Sequence, residues 1–166
     1  MRRLLLSLVM TLALSAQAQS PAQAPPPFVL QGPIATGQVF DLARQRGRVV
    51  MVFYWATSCA VCRDKLPELR QNMLGWKDKP FDLVTVSVDG KEADWRAYEQ
   101  LQAVTQPAAA QRVTSLWAGA RGFRHSLGAT SKLPLTLVID AQGQVRQRVE
   151  GRMAFELWDE VAELLP

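Results

Sequence analysis

The chain has 166 residues, 48% of them hydrophobic, with 19 lysines and arginines against 15 acids and a formal net charge of +4. That length allows one domain with a sizeable core. So slight a basic excess, scattered along the chain, argues against nucleic acid or an anionic membrane surface as a partner.

The first element is a targeting segment. Met1-Arg2-Arg3 is followed by a mostly apolar stretch from Leu4 to Leu14 and then by Ala16-Gln17-Ala18. A positive start, a short apolar core and an A-x-A site predict a secretory signal peptide over residues 1–18. The apolar run is shorter than the ~20 residues a membrane span needs. An uncleaved signal acting as an anchor, or a buried core helix, are the alternatives. Residues 19–27, ending in SPAQAPPP, read as an extended Pro/Ala-rich linker, and residues 28–166 as the domain. Losing residues 1–18 removes Arg2 and Arg3 and no acid, so the charge falls from +4 to +2. The expected location is a bacterial periplasm, where disulfides persist.

Along the domain, strands and helices alternate. Phe28-Val29-Leu30 and Val39-Phe40-Asp41-Leu42 flank Gly32, Pro33 and Gly37, which predicts a short N-terminal β-hairpin. Arg44, Arg46 and Arg48 read as a solvated loop, with a basic docking patch as the lesser alternative. Val49 to Tyr54 is apolar at every position, as in a central strand covered on both faces. From Cys59 a helix is predicted, with Leu66, Leu69, Met73 and Trp76 along one face and a kink at Pro67. Phe81 to Val88 is the next strand, ending at Asp89-Gly90. Glu92 to Leu101 is helical, while Gln102 to Arg112 gives no clear signal. Leu116 to Leu127 is a candidate helix, weakened by Gly119 and Gly122 and stopped by Gly128. Leu135 to Asp140 and Val145 to Val149 form a strand pair around Ala141-Gln142-Gly143, and Leu157 to Leu165 has a helical period. The alternation predicts an α/β domain.

The chemistry is concentrated in Trp55-Ala56-Thr57-Ser58-Cys59-Ala60-Val61-Cys62, which holds both cysteines of the chain. One internal bridge is therefore the most that can form. Two residues between the sulfurs let them cycle between dithiol and disulfide within one helical turn. The nucleophile in such chemistry is the thiolate, and a free thiol with a pKa of ~8.5 is mostly protonated at neutral pH. A helix N-terminus at Cys59 offers unpaired N–H groups and a positive dipole end, which favour the thiolate. Cys59 is thus the expected attacking residue, and Cys62, one turn inside, the resolving one. Trp55 is either an apolar wall beside the sulfurs or plain core filling.

The motif Trp55-Ala56-Thr57-x-Cys59-x-x-Cys62 after an apolar strand resembles the active site of the thioredoxin superfamily. Pro67 stands five residues after the second cysteine, where that family kinks its helix. Pro134, in Lys132-Leu133-Pro134-Leu135-Thr136, resembles the family's cis-proline. The opening through Val50 and the run Val86-Ser87-Val88-Asp89 are similar to the exported TlpA/ResA/DsbE-like branch, and the resemblance covers Phe28 to Pro166. It implies a thioredoxin-like fold, a central mixed β-sheet flanked by helices. It also implies a monomeric periplasmic thiol-disulfide oxidoreductase without cofactor or bound metal, acting in the reducing direction. Leu133 and Pro134 would then offer backbone to an extended substrate. The implied partners are cysteine-containing exported proteins, such as apocytochrome c in cytochrome c maturation or copper-site proteins, with a DsbD-type membrane electron donor to re-reduce the pair.

Other readings stand beside this one. A zinc site needs about four ligands, whereas the chain offers two cysteines and His125 besides carboxylates. An inert structural disulfide over so short a loop would constrain the unfolded chain least. A Sco-like copper-handling or binding module shares the fold but typically carries CxxxC with a distal histidine; His125, in a polar stretch, reads as a surface residue. A DsbA-type thiol oxidant is a further alternative. A peroxiredoxin-like peroxidase would want Thr and Pro where Ala56 and Val52 stand. Two departures touch the tuning of the pair. The superfamily's buried acid before the first cysteine is replaced by Phe53, and the glutamate of the cytochrome c maturation type by Lys65, which either favours a thiolate electrostatically or, as a helix lysine, stands in solvent. Glu68 is expected to be solvated, so the sequence identifies no proton acceptor for Cys62.

Overall fold

The computed structural model describes residues 25–128 and 132–166. The predicted signal peptide and the start of the predicted linker lie outside the described residues. The last linker residues, Pro25 to Pro27, are exposed and without regular structure.

In chain order the elements are β1 (Leu30–Pro33), β2 (Val39–Asp41), β3 (Val49–Trp55), α1 (Ala60–Gly75), β4 (Phe81–Ser87), α2 (Glu92–Thr105), α3 (Pro107–Ala110), β5 (Thr114–Trp117), β6 (Arg124–His125), β7 (Leu135–Ile139), β8 (Val145–Glu150) and α4 (Leu157–Glu163). A five-stranded sheet runs in the order β5-β4-β3-β7-β8. β3, β4 and β5 are parallel, while β7 and β8 are antiparallel to their neighbours, so the sheet is mixed. β3 lies at its centre with all seven residues buried, as its unbroken apolar run requires.

The alternation of β3 divides the interior into two layers. Val49, Met51, Phe53 and Trp55 face the helices, where they pack with Leu66 and Leu69 of α1, Trp95 of α2 and Trp158 and Val161 of α4. Val50, Val52 and Tyr54 face the other way, toward Leu30, Leu42 and Leu116. The helical cover thus gathers on one face of the sheet. The opposite face is covered by a small antiparallel sheet in the order β2-β1-β6.

Three sequence expectations are corrected. The predicted N-terminal hairpin exists as β1 and β2 but carries a third strand, β6. The predicted helix over Leu116 to Leu127 does not form. Leu116 pairs instead with Val86 and is fully buried in a strand, and Gly122 takes a φ of +88°, outside the helical region. Arg48 is no free loop cation, since it forks onto Asp82 at 2.5 and 2.9 Å and onto the Phe81 carbonyl at 2.9 Å. The unclear stretch after Leu101 completes α2 and adds the short α3.

Helix α1 runs unbroken through Pro67, although the proline offers no N–H to the Arg63 carbonyl. Packing of its buried face, rather than an unbroken ladder, therefore holds it. Leu66 is fully buried at the middle of that face. Leu66→Ala should lower the free energy of unfolding by about 2–5 kcal/mol, read from urea denaturation of the oxidised protein.

Candidate active site

Cys59 sits on extended backbone (φ −85°, ψ 102°) as the N-cap of α1, and its sulfur accepts from the Cys62 N–H at 3.2 Å. The two cysteines are joined by a disulfide, with their Cα atoms 5.2 Å apart. Cys59 is half-buried and Cys62 completely buried. Both follow from the helix: the cap position faces outward, and one turn further in the chain turns its side toward the core. Only the first sulfur is therefore open to a partner.

The turn leading to Cys59 is held by Asp89. Strands β3 and β4 run parallel with Trp55 beside Ser87, so Thr57 and Asp89 leave the sheet side by side. One Asp89 oxygen accepts from the Thr57 N–H at 2.9 Å and from the Thr57 hydroxyl at 2.7 Å. The other accepts from the Ser87 hydroxyl at 2.7 Å. Trp117 donates its indole N–H to the Asp89 carbonyl at 2.8 Å, tying the cluster to β5. Arg63, one turn into α1, caps the same segment by donating to the Thr57 carbonyl at 3.1 Å.

The antiparallel register of β7 brings the second loop to this end of the sheet. Tyr54 lies opposite Leu135, so Pro134 falls beside the end of β3. The Leu133–Pro134 peptide bond is cis, and the Pro134 carbonyl accepts from the Gly151 N–H at 2.7 Å. Leu133 packs, partly buried, against the core cluster that contains Cys62 and Trp55. Trp55 is fully buried in that cluster and packs against Tyr98 with the rings tilted, 4.4 Å between centroids, so it serves the core whatever it does for the sulfurs. Arg152, in the loop after β8, reaches Asp64 in the first turn of α1 at 3.3 Å.

Three residues differ from their sequence readings. Lys65 is buried, with only 7% of its side chain exposed, and its amine bonds Glu68 at 2.8 Å. Glu68 is accordingly more than a solvated acid, since it also accepts from the Trp158 indole at 3.1 Å. Burial pushes its carboxyl up, but the donors Lys65 and Trp158 prevail and hold it below the usual carboxylate range. His125 is half-buried on the other face of the sheet, with Nδ1 3.0 Å from the Tyr54 hydroxyl, and burial holds its imidazole toward the neutral form. Phe53 is fully buried, as its place on β3 demands. No described group of three or more His, Cys, Asp or Glu side chains has the arrangement of a metal site.

Thr57 and Asp89 are what sequence reasoning passed over. The signal was there in two equal offsets. Each residue stands two positions past the end of its strand, and a parallel register between neighbouring strands brings such positions together.

Similarity to known proteins agrees with this geometry. A sequence model of the AhpC/TSA family matches residues 21–148. The thiol-disulfide oxidoreductase ResA of Oceanobacillus iheyensis is 25% identical over 122 residues, which is 74% of this chain and 58% of that protein. The chain thus spans a little under three fifths of that relative's length. A Chlorobium tepidum protein provisionally described as thiol:disulfide interchange protein DsbE superposes with a TM-score of 0.63 at 27% identity, covering 83% of this chain and 92% of its own. A thioredoxin family thiol:disulfide interchange protein from Chlorobium tepidum TLS gives 0.66 at 21% identity, over 87% and 97% of the two chains. The fold is thioredoxin-like.

The Glu68 cluster has a consequence for stability. Because its folded carboxyl titrates below the unfolded value, its contribution is present above the ordinary glutamate range near pH ~4.3 and is lost as pH falls through the lower folded value. Glu68→Gln should remove part of the acid limb of the stability profile. Denaturation midpoints of the two proteins measured from pH 7 downward should converge as the acid range is crossed; parallel profiles would show that the cluster carries no linkage.

Proposed function

We propose, from the premise that this chain belongs to the AhpC/TSA family, that it is a thiol-disulfide oxidoreductase which reduces disulfides of exported proteins through Cys59 and Cys62. The observation that carries this reading is the Cys59–Cys62 disulfide with one sulfur half-open and the other buried. In the reduced protein, the Cys59 thiolate attacks one sulfur of a partner disulfide, and the partner's other sulfur leaves as a thiolate and takes a proton. Cys62, deprotonated, then attacks the Cys59 sulfur, and the second partner sulfur leaves. The partner gains two electrons and two protons, and the enzyme is left with the Cys59–Cys62 bond.

Leu133 and Pro134, at the same end of the sheet as the pair, supply the backbone against which an extended partner segment lies, with Trp55 as the apolar floor behind the sulfurs. The N-terminal sequence supports export through a signal over residues 1–18, with the periplasm as destination. There the pair needs a donor of the DsbD type, because an oxidising compartment does not keep it reduced. Apocytochrome c and copper-site proteins are the partner classes that fit such a reductant. Of the rival readings, the copper module lacks support from His125, which is engaged by Tyr54 on the face of the sheet away from Cys62. The DsbA-type oxidant shares every residue of the mechanism and differs only in potential.

Insulin reduction by the wild-type chain in the presence of dithiothreitol should proceed well above background. Cys59→Ala should abolish it, and Cys62→Ser should accumulate a mixed disulfide on Cys59. Near-zero activity in wild type and Cys59→Ala alike, with stoichiometric copper binding, would overturn the proposal. Equilibration with glutathione decides direction: a potential near the thioredoxin value of about −270 mV marks a reductant, and one near the DsbA value of about −120 mV an oxidant.

A further inference from the structure

The strand-to-helix turn before Cys59 is positioned by a carboxylate from a different strand, and that carboxylate is buried. Asp89 is only 9% exposed, and its two oxygens receive the Thr57 N–H, the Thr57 hydroxyl and the Ser87 hydroxyl. The Thr57 N–H is a fixed donor and both hydroxyls can turn their protons toward the oxygens, a setting that suits an ionised carboxylate. Its backbone is fixed as well, by its own N–H on the Ser87 hydroxyl at 3.1 Å and by Trp117 on its carbonyl at 2.8 Å. The anion therefore cannot swing away from the turn it holds. Such a buried charge, held two residues from the attacking sulfur by direct bonds to Thr57, acts in a medium that screens it poorly.

We infer that Asp89 is a positioning residue with an electrostatic role: through Thr57 it fixes the Cys59 turn, and its negative charge opposes the Cys59 thiolate and so holds the couple on the reducing side. This rests on the thiol-exchange reading above and deepens it. The helix N-terminus alone stabilises the thiolate, which favours the dithiol form and makes a pair more oxidising. Asp89 works against that end of the helix. The other charges around the turn are exposed or already paired. Arg63 also holds the turn, through the Thr57 carbonyl, but it is exposed, as are Lys91 and Lys132, so water and salt screen all three. Asp64 is held by Arg152, Glu92 by Arg96, and Lys65 by Glu68. The charge that is both buried and bonded to the turn is Asp89.

Two substitutions separate charge from shape. Asp89→Asn keeps an oxygen acceptor for Thr57 and removes the charge. The Cys59 pKa, read from the pH dependence of iodoacetamide alkylation of the reduced protein, should fall by about one unit. The equilibrium with glutathione should move toward the dithiol by up to about tenfold. Thr57→Val keeps the charge and removes one donor that neutralises it, so the Cys59 pKa should rise. A merely structural clamp would send both variants the same way, since both loosen the turn. An unchanged pKa in Asp89→Asn overturns the inference, as does a fall in Thr57→Val. If Asp89→Asn does not fold, the Thr57→Val titration decides alone, and only a rise supports the role. The titration needs no turnover, so failure of insulin reduction by the wild type would count against the proposed activity without bearing on Asp89.

Discussion

The register of β3 against its two neighbours is the constraint on which the site depends. With Trp55 beside Ser87 in the parallel pair and Tyr54 opposite Leu135 in the antiparallel pair, three loops remote in sequence emerge at one end of the sheet. One carries Thr57 and Cys59, one Asp89, one Leu133-Pro134. A one-residue slip of β3 would turn its helix-facing side chains to the other face. Val49, Met51, Phe53 and Trp55 would then meet the small sheet in place of α1 and α4. Hydrophobic burial of two different layers therefore specifies the register, and the register assembles the site. The core is the device that positions the chemistry.

Charge is distributed around the pair according to what each position can solvate. On β3, sealed between two apolar layers, an ionised acid would lack water and partners, and Phe53 fills the place. The interior nonetheless admits Lys65, because Glu68 reaches it from the next turn of the same helix while keeping 38% of its own side chain in water. A buried pair of this kind is weak evidence for stability, but removing one partner would strand the other. Glu68 also takes the Trp158 indole, so α4 is fastened to α1 beyond the cysteines. Together with Arg152 on Asp64, it ties the C-terminal segment to the first turns of the helix that carries the cysteines.

Sequence periodicity was most informative where burial follows the element's own period. The runs of β3 and β7 were legible because every position is buried, and the stripe of α1 because its buried residues recur on one face. Leu116 to Leu127 misled because its apolar residues are spaced compatibly with a helix, while the energy that decided came from a strand partner, Val86, thirty residues away. Lys65 and His125 misled for a related reason. A lysine on a helix and a histidine among polar residues are solvated by default, and only tertiary contact supplies Glu68 and Tyr54 as partners. The CxxC was visible as chemistry, yet its tuning was not, because Asp89 acts across a strand boundary that no local window spans.

The division of labour between the two sulfurs follows from one turn of helix. Cys59 precedes the first helical residue, so its sulfur projects where the chain has not yet turned onto the core, and it stays half-open. Three residues on, the rotation of the helix brings Cys62 onto the face shared with Leu66 and Leu69, where no solvent reaches it. On the proposed mechanism an outside disulfide meets only the first sulfur, which makes the opening step intermolecular. The second step has its nucleophile already placed 5.2 Å away by Cα distance, and it needs no diffusion. The same burial that denies Cys62 to partners also withholds water as its proton acceptor. In the proposed cycle the resolving sulfur therefore gives up its proton inside the protein, whereas the attacking sulfur stands at the N-terminus of α1, on the turn that Asp89 holds.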